Sequence, residues 1–255
     1  MMLHTLRYEL LALGRNKRAR LFTLAFPVLL LVVLSGIGGS TMTTFDGAPV
    51  TLERFFLPGI LAMSLITACF AALVQIVVTR RQLGVYKRRR ATPVPASALV
   101  GAQTIATTVV GIASVVVLLI VGRAAFGIGI AAGPLVAVFA TFVVGALALC
   151  AIAFAVASMI PSPETAQPVV QFVMFPLLFV SGIWFSSDDM PGWLTAVADV
   201  FPVAHLSDAL HRAVEASTFG SAFAPVDLLV IVAWGAVAAV VAARRFSWMP
   251  STTSA

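Results

Sequence analysis

The feature that most limits this chain is a series of long stretches with no ionisable side chain. Such runs extend from 21 to 45, 55 to 79, 91 to 122, 124 to 163, 165 to 187 and 228 to 243. About 20 apolar residues carry a helix across a bilayer, whose backbone groups must bond within the segment. The fold class expected is therefore an all-α integral membrane protein. A single transmembrane domain, residues 1–255, would have six transmembrane helices, at 21–39, 55–79, 96–122, 135–158, 166–186 and 223–243. Only 10% of the residues are charged and 60% are hydrophobic, against about 25% and 45–50% in a soluble domain. That balance argues against a soluble enzyme, a disordered tail or a nucleic-acid-binding module, despite a net charge of +6.

Several boundaries need a reason. Pro93 and Pro95 suit a helix start rather than its interior, so the third span begins near Ala96. The run from 124 is too long for one span, and its glycine-rich opening through Gly133-Pro134 reads as an external turn. Pro176 lies centrally in the fifth span and should kink or break it. Basic residues precede the first apolar run as in a signal peptide, but with no small-x-small cleavage site an uncleaved span is expected.

Basic residues orient the spans. With the N-terminus inside, Arg7, Arg15, Lys17, Arg18, Arg20, Arg80, Arg81, Lys87, Arg88, Arg89, Arg90, Arg244 and Arg245 are cytoplasmic. These are 13 of the 16 basic residues; only Glu9 and Glu164 of the ten acids join them. Both termini are then cytoplasmic. Residues 2–20 carry Leu3, Leu6, Leu10 and Leu13 at helical spacing, the pattern of an interfacial amphipathic helix. The cytoplasmic loop 80–95 gathers six positive charges, suited to anionic headgroups, to an acidic protein surface, or simply to the sidedness rule. Residues 187–216 read as short external re-entrant or surface helices. One would start at Ser187–Pro191; another, from Pro202, would bury Val203, Leu206, Leu210 and Val214. Its solvated side would hold His205, Asp208, His211, Arg212 and Glu215, with Asp208 and Arg212 an i,i+4 pair.

Chemistry is mostly excluded. His205, Asp208 and His211 invite a metal reading, but a polar helix face explains them, and HExxH is absent. A serine intramembrane protease lacks its intramembrane histidine; Ser181-Gly182 reads as a small-residue packing site. No span carries a central charge, which disfavours an ion-coupled carrier. Gln75, Gln103, Thr104, Thr107, Thr108 and Gln171 are neutral and suit interhelical hydrogen bonds. Cys69 and Cys150 read as small buried hydrophobes. No GxxxxGK[ST] phosphate loop occurs, so work done by this protein must draw on a partner or a gradient. Two lysines beside fourteen arginines, with abundant Ala and Val, point to a GC-rich bacterial genome.

Two stretches resemble a known family. Residues Gly84-Val85-Tyr86-Lys87-Arg88-Arg89-Arg90-Ala91-Thr92-Pro93-Val94 are similar to the coupling-helix region of permease subunits of type-2 ATP-binding-cassette (ABC) exporters. Phe179-Val180-Ser181-Gly182-Ile183, Met190-Pro191 with Trp193-Leu194, Phe201-Pro202 and Ala209-Leu210-His211-Arg212 resemble that family's C-terminal signature, closest to its antibiotic-resistance, daunorubicin-exporter branch. The resemblance implies a non-enzymatic, multi-pass permease of a bacterial cell (inner) membrane, paired with a second permease, identical or paralogous. Separate ATPase subunits would hold ATP and Mg2+, and this chain would bind no cofactor or metal. Gln82, Gly84, Tyr86, Lys87, Arg88, Arg89, Arg90, Thr92 and Pro93 would form the ATPase-coupling interface. Ser181, Gly182, Met190, Pro191, Trp193, Phe201, Pro202 and Arg212 would form the external signature. A hydrophobic drug, lipid or natural product would pass along the seam between permeases. The alternatives are an ion-coupled secondary carrier, or a membrane-embedded enzyme or assembly factor using the His205–Glu215 helix. The family often has an acidic residue at the position of Gln82 and a proline at that of Ser186.

Overall fold

The computed structural model describes residues 6–11, 17–38, 42–45, 48–90, 95–182 and 191–246. A helical turn α1 (6–11) is followed by α2 (Lys17–Gly38), strands β1 (Met42–Phe45) and β2 (Ala48–Thr51), and α3 (Leu52–Gln82). Then come α4 (Val85–Arg90), α5 (Ala96–Phe126), α6 (Ala132–Met159), α7 (Pro163–Val180), α8 (Gly192–Ala198), α9 (Pro202–Glu215) and α10 (Pro225–Arg245). Among the described residues, Leu52–Gln82, Ser97–Phe126, Ala132–Met159 and Pro225–Arg245 are long and apolar enough to cross a membrane. Leu24–Gly36 within α2 is a shorter apolar helix.

The centre of the bundle is α3. Residues 57–66 along it are buried without interruption, as are Leu73, Val74, Val77 and Val78. A helix apolar all round belongs inside a bundle, not at its rim. Its course contains a π-helical turn at Ile66–Ala71, where the Ala72 N–H reaches back to the Thr67 carbonyl. The Thr67 hydroxyl donates to the Met63 carbonyl at 2.9 Å, and such back-bonding loosens the regular ladder.

The longest helix-to-helix contact joins α6 and α10, and small residues permit it. A Cβ on Gly235 would lie 3.0 Å from both Cα and Cβ of Ala148, so the two backbones approach as closely as side chains allow. Gly145, one turn earlier on α6, faces Leu206 of α9 and Leu65 of α3.

Four expectations change. An all-α chain omits the antiparallel hairpin, in which Met42 pairs with Thr51 and Phe45 with Ala48. The apolar run before it hides the pairing in sequence. The turn at 124–134 shrinks. Helix α5 continues to Phe126 and stops at Gly127 (φ +68°), with the Ile128 N–H bonded to the Gly122 carbonyl, while α6 starts at Ala132. Pro134 sits in the first turn of α6, where a missing N–H costs nothing. Pro176 does not end the fifth apolar helix, for α7 is helical through Pro168 and Pro176. It stops instead at Ser181 and Gly182 (φ +71°), the buried Ser181 hydroxyl bonding the Leu178 carbonyl at 3.1 Å. Finally, residues 17–20 belong to α2 rather than to a separate interfacial helix.

Of the re-entrant and surface readings of residues 187–216, α9 follows the first, and what changes is the solvated side expected of it. It does not rest on the surface. Val203, Leu206, Leu210 and Val214 are buried, and so are Ser207 and His211 on the flank expected to be solvated. Leu206 meets Gly145, thirteen residues or about 20 Å of helix beyond the start of α6. The helix therefore re-enters the bundle between α3, α6 and α10.

Candidate functional site

At one end of the bundle, α3 runs into α4, and Arg81, Arg80 and Tyr86 hold the junction. Arg81 is buried, 3% exposed. Its guanidinium donates to the Ala157 carbonyl at 3.0 Å and to the Ile160 carbonyl, so a cation caps the carbonyl end of α6, where the helix dipole favours it. Arg80 binds Glu9 of α1 at 2.6 Å and the side-chain carbonyl of Gln103 of α5. Glu9 is itself 2% exposed, and a carboxylate that deep requires such a partner. Tyr86 packs edge-on against Phe246 at 5.9 Å, and Phe246 in turn meets Phe154 at 6.2 Å.

Between the two helices lies Leu83-Gly84. Gly84 has φ +66° with nothing near where a Cβ would stand, so only the left-handed backbone, disfavoured for other residues, selects glycine there. The turn throws α4 across the end of α3 and leaves Gln82, Leu83, Lys87 and Arg88 exposed. Arg88 donates to the Leu83 carbonyl at 3.2 Å, which holds its charge against the turn.

Of the residues that the resemblance assigns to an ATPase contact, Gln82, Lys87 and Arg88 are exposed and Gly84 is half-buried. Tyr86 is 7% exposed and fastens α4 to the bundle, as an aromatic body between apolar helices should. Arg80 and Arg81 are taken up by internal bonds, which reduces the loop's free positive charge. Arg89 and Arg90 close α4, their side chains lying outside the described residues, as do Thr92 and Pro93. Glu9 and Arg80 escaped the sequence reading. The signal was present: Glu9 stands at the edge of the Leu6–Leu10–Leu13 stripe, and an acid beside an apolar face calls for a buried base.

The opposite end holds the second set of residues. Arg54, two residues into α3, binds Glu215 of α9 at 2.9 Å and the Val214 carbonyl at 3.3 Å. Burial outweighs the attraction of Arg54 and leaves the Glu215 carboxyl above its ordinary range. His205 places Nδ1 2.7 Å from Asp227 Oδ1 of α10 and Nε2 2.9 Å from the Asp199 carbonyl. Both partners are acceptors, so both ring nitrogens must donate, which only the imidazolium can do. Burial works against that charge, but the bonds to Asp227 and Asp199 prevail and the pKa is raised. Burial, reinforced by Asp227, pushes Asp208 up to about 6. His211 packs on Phe55 at 5.2 Å between ring centres, and burial pulls it down to about 3, so it is neutral.

These residues hold helices together and do not converge on a reacting centre. Among the described residues no group of His, Cys, Asp or Glu could hold a metal. Arg212 is exposed and makes no ion pair with Asp208, because Asp208 turns into the bundle. Phe201 stacks on Trp234 at 6.3 Å, whose indole N–H bonds the Val200 carbonyl at 2.9 Å. Pro202 starts α9 from a buried position, Pro191 precedes α8 and Trp193 is 69% exposed; Met190 lies outside the described residues. Within the bundle, Gln75 donates to Gln167 at 2.8 Å, joining α3 to α7, and the Thr107 hydroxyl lies 3.4 Å from Cys150 Sγ.

Comparison with known proteins adds two findings. The family model described as ABC-2 type transporter matches residues 3–214. The chain is also similar to the daunorubicin resistance ABC transporter permease protein DrrB1 of Streptomyces coeruleorubidus, at 33% identity over 76 residues. That stretch is 30% of this chain and spans about a quarter (26%) of the relative.

Proposed function

The chain belongs to the ABC-2 type transporter family, a multi-pass membrane protein family, and from that premise we infer that it is the permease subunit of an ATP-driven exporter. Six spans, α2, α3, α5, α6, α7 and α10, would place both termini and α4 on the cytoplasmic side of a bacterial inner membrane. The basic residues that lead into α2, close α3 and end α10 support this sidedness. The chain would hydrolyse nothing itself. Its partners would be separate ATPase subunits, which carry ATP and Mg2+, and a second permease, identical or paralogous, completing the path. The kinship with a daunorubicin-resistance permease and the neutral spans favour a hydrophobic drug, lipid or natural product as cargo.

The observation that carries this reading is the construction of α4. A short basic helix projects Lys87 and Arg88 outward while Tyr86, Arg80 and Arg81 tie its base to α1, α5, α6 and the end of α10. A push on α4 is thereby a push on α3, the centre of the bundle. The outer-side alternative, an enzyme working through the His205–Glu215 helix, meets residues already engaged in packing.

Charge reversal tests the reading. In cells supplied with the proposed partner ATPase, Lys87→Glu with Arg88→Glu should lower ATPase co-purification and drug-stimulated hydrolysis at least about tenfold, since like charges across an interface cost several kcal/mol. Transport by the purified chain in vesicles without any ATPase would overturn it.

A further inference from the structure

Three titratable groups meet at the corner where α8, α9 and α10 come together. His205 and Asp208 are three residues apart on α9, hence on one face, and Asp227 stands opposite in the first turn of α10. His205 bridges the joint, from Asp227 at 2.7 Å to the Asp199 carbonyl at 2.9 Å. Asp208 is half-buried beside them and makes no hydrogen bond or ion pair among the described residues. A carboxylate taken out of water without a partner is costly. Burial and the Asp227 charge both disfavour its ionisation, and His205 offsets them only in part. Asp199 adds to the repulsion and Arg212 subtracts from it. Other elements against α9 bring little charge to this corner. α6 carries no acid or base, α7 has Glu164 in its first turn, and α10 otherwise has Arg244 and Arg245 in its last turn. From α3 come Glu53 and Arg54 at its start, Arg54 being bound to Glu215 at the other end of α9, and Arg80 and Arg81 at its far end.

With His205 and Asp208 both protonated, imidazolium, Asp227 carboxylate and Asp208 carboxyl sum to no net charge. Loss of the Asp208 proton leaves one negative charge in the corner, and loss of the His205 proton leaves two. A neutral imidazole has a single N–H, so it keeps its bond to Asp227 or to Asp199 but not both. Both deprotonations therefore act in one direction. We propose that His205, Asp208 and Asp227 form a proton-operated fastening that seats the re-entrant helix α9 in acid and loosens it as the pH rises. Asp208, pushed up to about 6 from an ordinary ~4, loosens the seat as pH rises between those two values. His205, raised above its ordinary value of about 6.5, loosens it again at higher pH. Trp234 meanwhile holds the α8–α9 turn through Val200 and Phe201, contacts that do not titrate. Which compartment's pH acts follows from the sidedness proposed above; the response itself does not rest on it.

Hydrogen–deuterium exchange mass spectrometry of the full chain in detergent tests this, with labelling times scaled to the intrinsic exchange rate at each pH. Amides of α9 should lose about tenfold in protection between about pH 5 and 7.5. That is the factor by which a carboxyl moved from ~4 to about 6 changes a local equilibrium over the interval. A further loss should follow toward about pH 9 as His205 gives up its proton. Amides in the second half of α6 should keep their protection throughout. Asp208→Asn should remove the first step by raising α9 protection about tenfold at about pH 7.5, a gain that misfolding cannot imitate. His205→Gln should remove the second step and keep the first. Glu215 is the same in all three proteins, so its own titration against Arg54 drops out of the comparison. Protection of α9 indifferent to pH, or Asp208→Asn no better protected than the wild type at that pH, overturns the proposal. So does a second step that survives His205→Gln, or loosening of α6 in step with α9.

Discussion

At the scale of single residues, this protein treats its few charges as internal fasteners. His205 is the clearest case, an imidazolium between the Asp227 carboxylate and the Asp199 carbonyl. Its pKa is raised above the ordinary value of about 6.5. Stability from such a group is complete below that ordinary value and is lost as pH rises through the folded one. The detergent-purified protein should therefore lose thermal stability as pH rises above about 6.5, and His205→Gln should lack that loss. An equal fall in both proteins would remove His205 as the cause. Sequence pattern could name His205 and Asp208 but not their roles. Their partner Asp227 is 22 residues from His205, and burial of a polar flank is decided by what packs there. A helical stripe predicts the apolar face of α9; nothing in it says that the other face is covered as well.

At the scale of elements, helix existence was legible and helix surroundings were not. Apolar runs mark α3, α5, α6 and α10 because hydrocarbon demands uninterrupted internal bonding. The hairpin before α3 was not legible, since its first strand ends an apolar run that reads as a span. Nor was the π-helical turn, which leaves no period of its own. The contact of α6 with α10 makes a sharper claim. Gly235→Val would drive a branched side chain into the Ala148 backbone, 3.0 Å from where its Cβ must stand. Overpacking of this kind costs about 1–3 kcal/mol, measurable as a lowered unfolding midpoint in detergent. A midpoint equal to wild type would mean that α10 moves away freely. The coupling residues divide along the same line: Lys87 and Arg88 were placed by family resemblance and charge, whereas the inward turn of Tyr86 follows from Phe246, 160 positions along the chain.

At the scale of the molecule, the six proposed spans imply opposite faces that a reagent can distinguish. Leu83 is 64% exposed at the α4 end, and Phe219 is 55% exposed near the start of α6. Leu83→Cys should react with an impermeant maleimide in inverted vesicles, and Phe219→Cys in intact cells. Cys69 and Cys150 are buried and should stay silent, so no cysteine-free background is needed. Labelling of both variants from the same side would exclude the odd number of crossings between them that the proposed sidedness requires.

Arg81 joins these scales. On the proposed sidedness, its positive charge counts during insertion toward which loops stay inside, and for that purpose lysine would serve as well. Once folded, it is a planar fork closing the carbonyl end of α6, a task for which an ammonium is a poor substitute. One side chain is thus used twice, first as an address and later as a clasp. Arg81→Lys would separate the two uses, giving a protein threaded correctly through its membrane whose central helix has lost its grip on its neighbour.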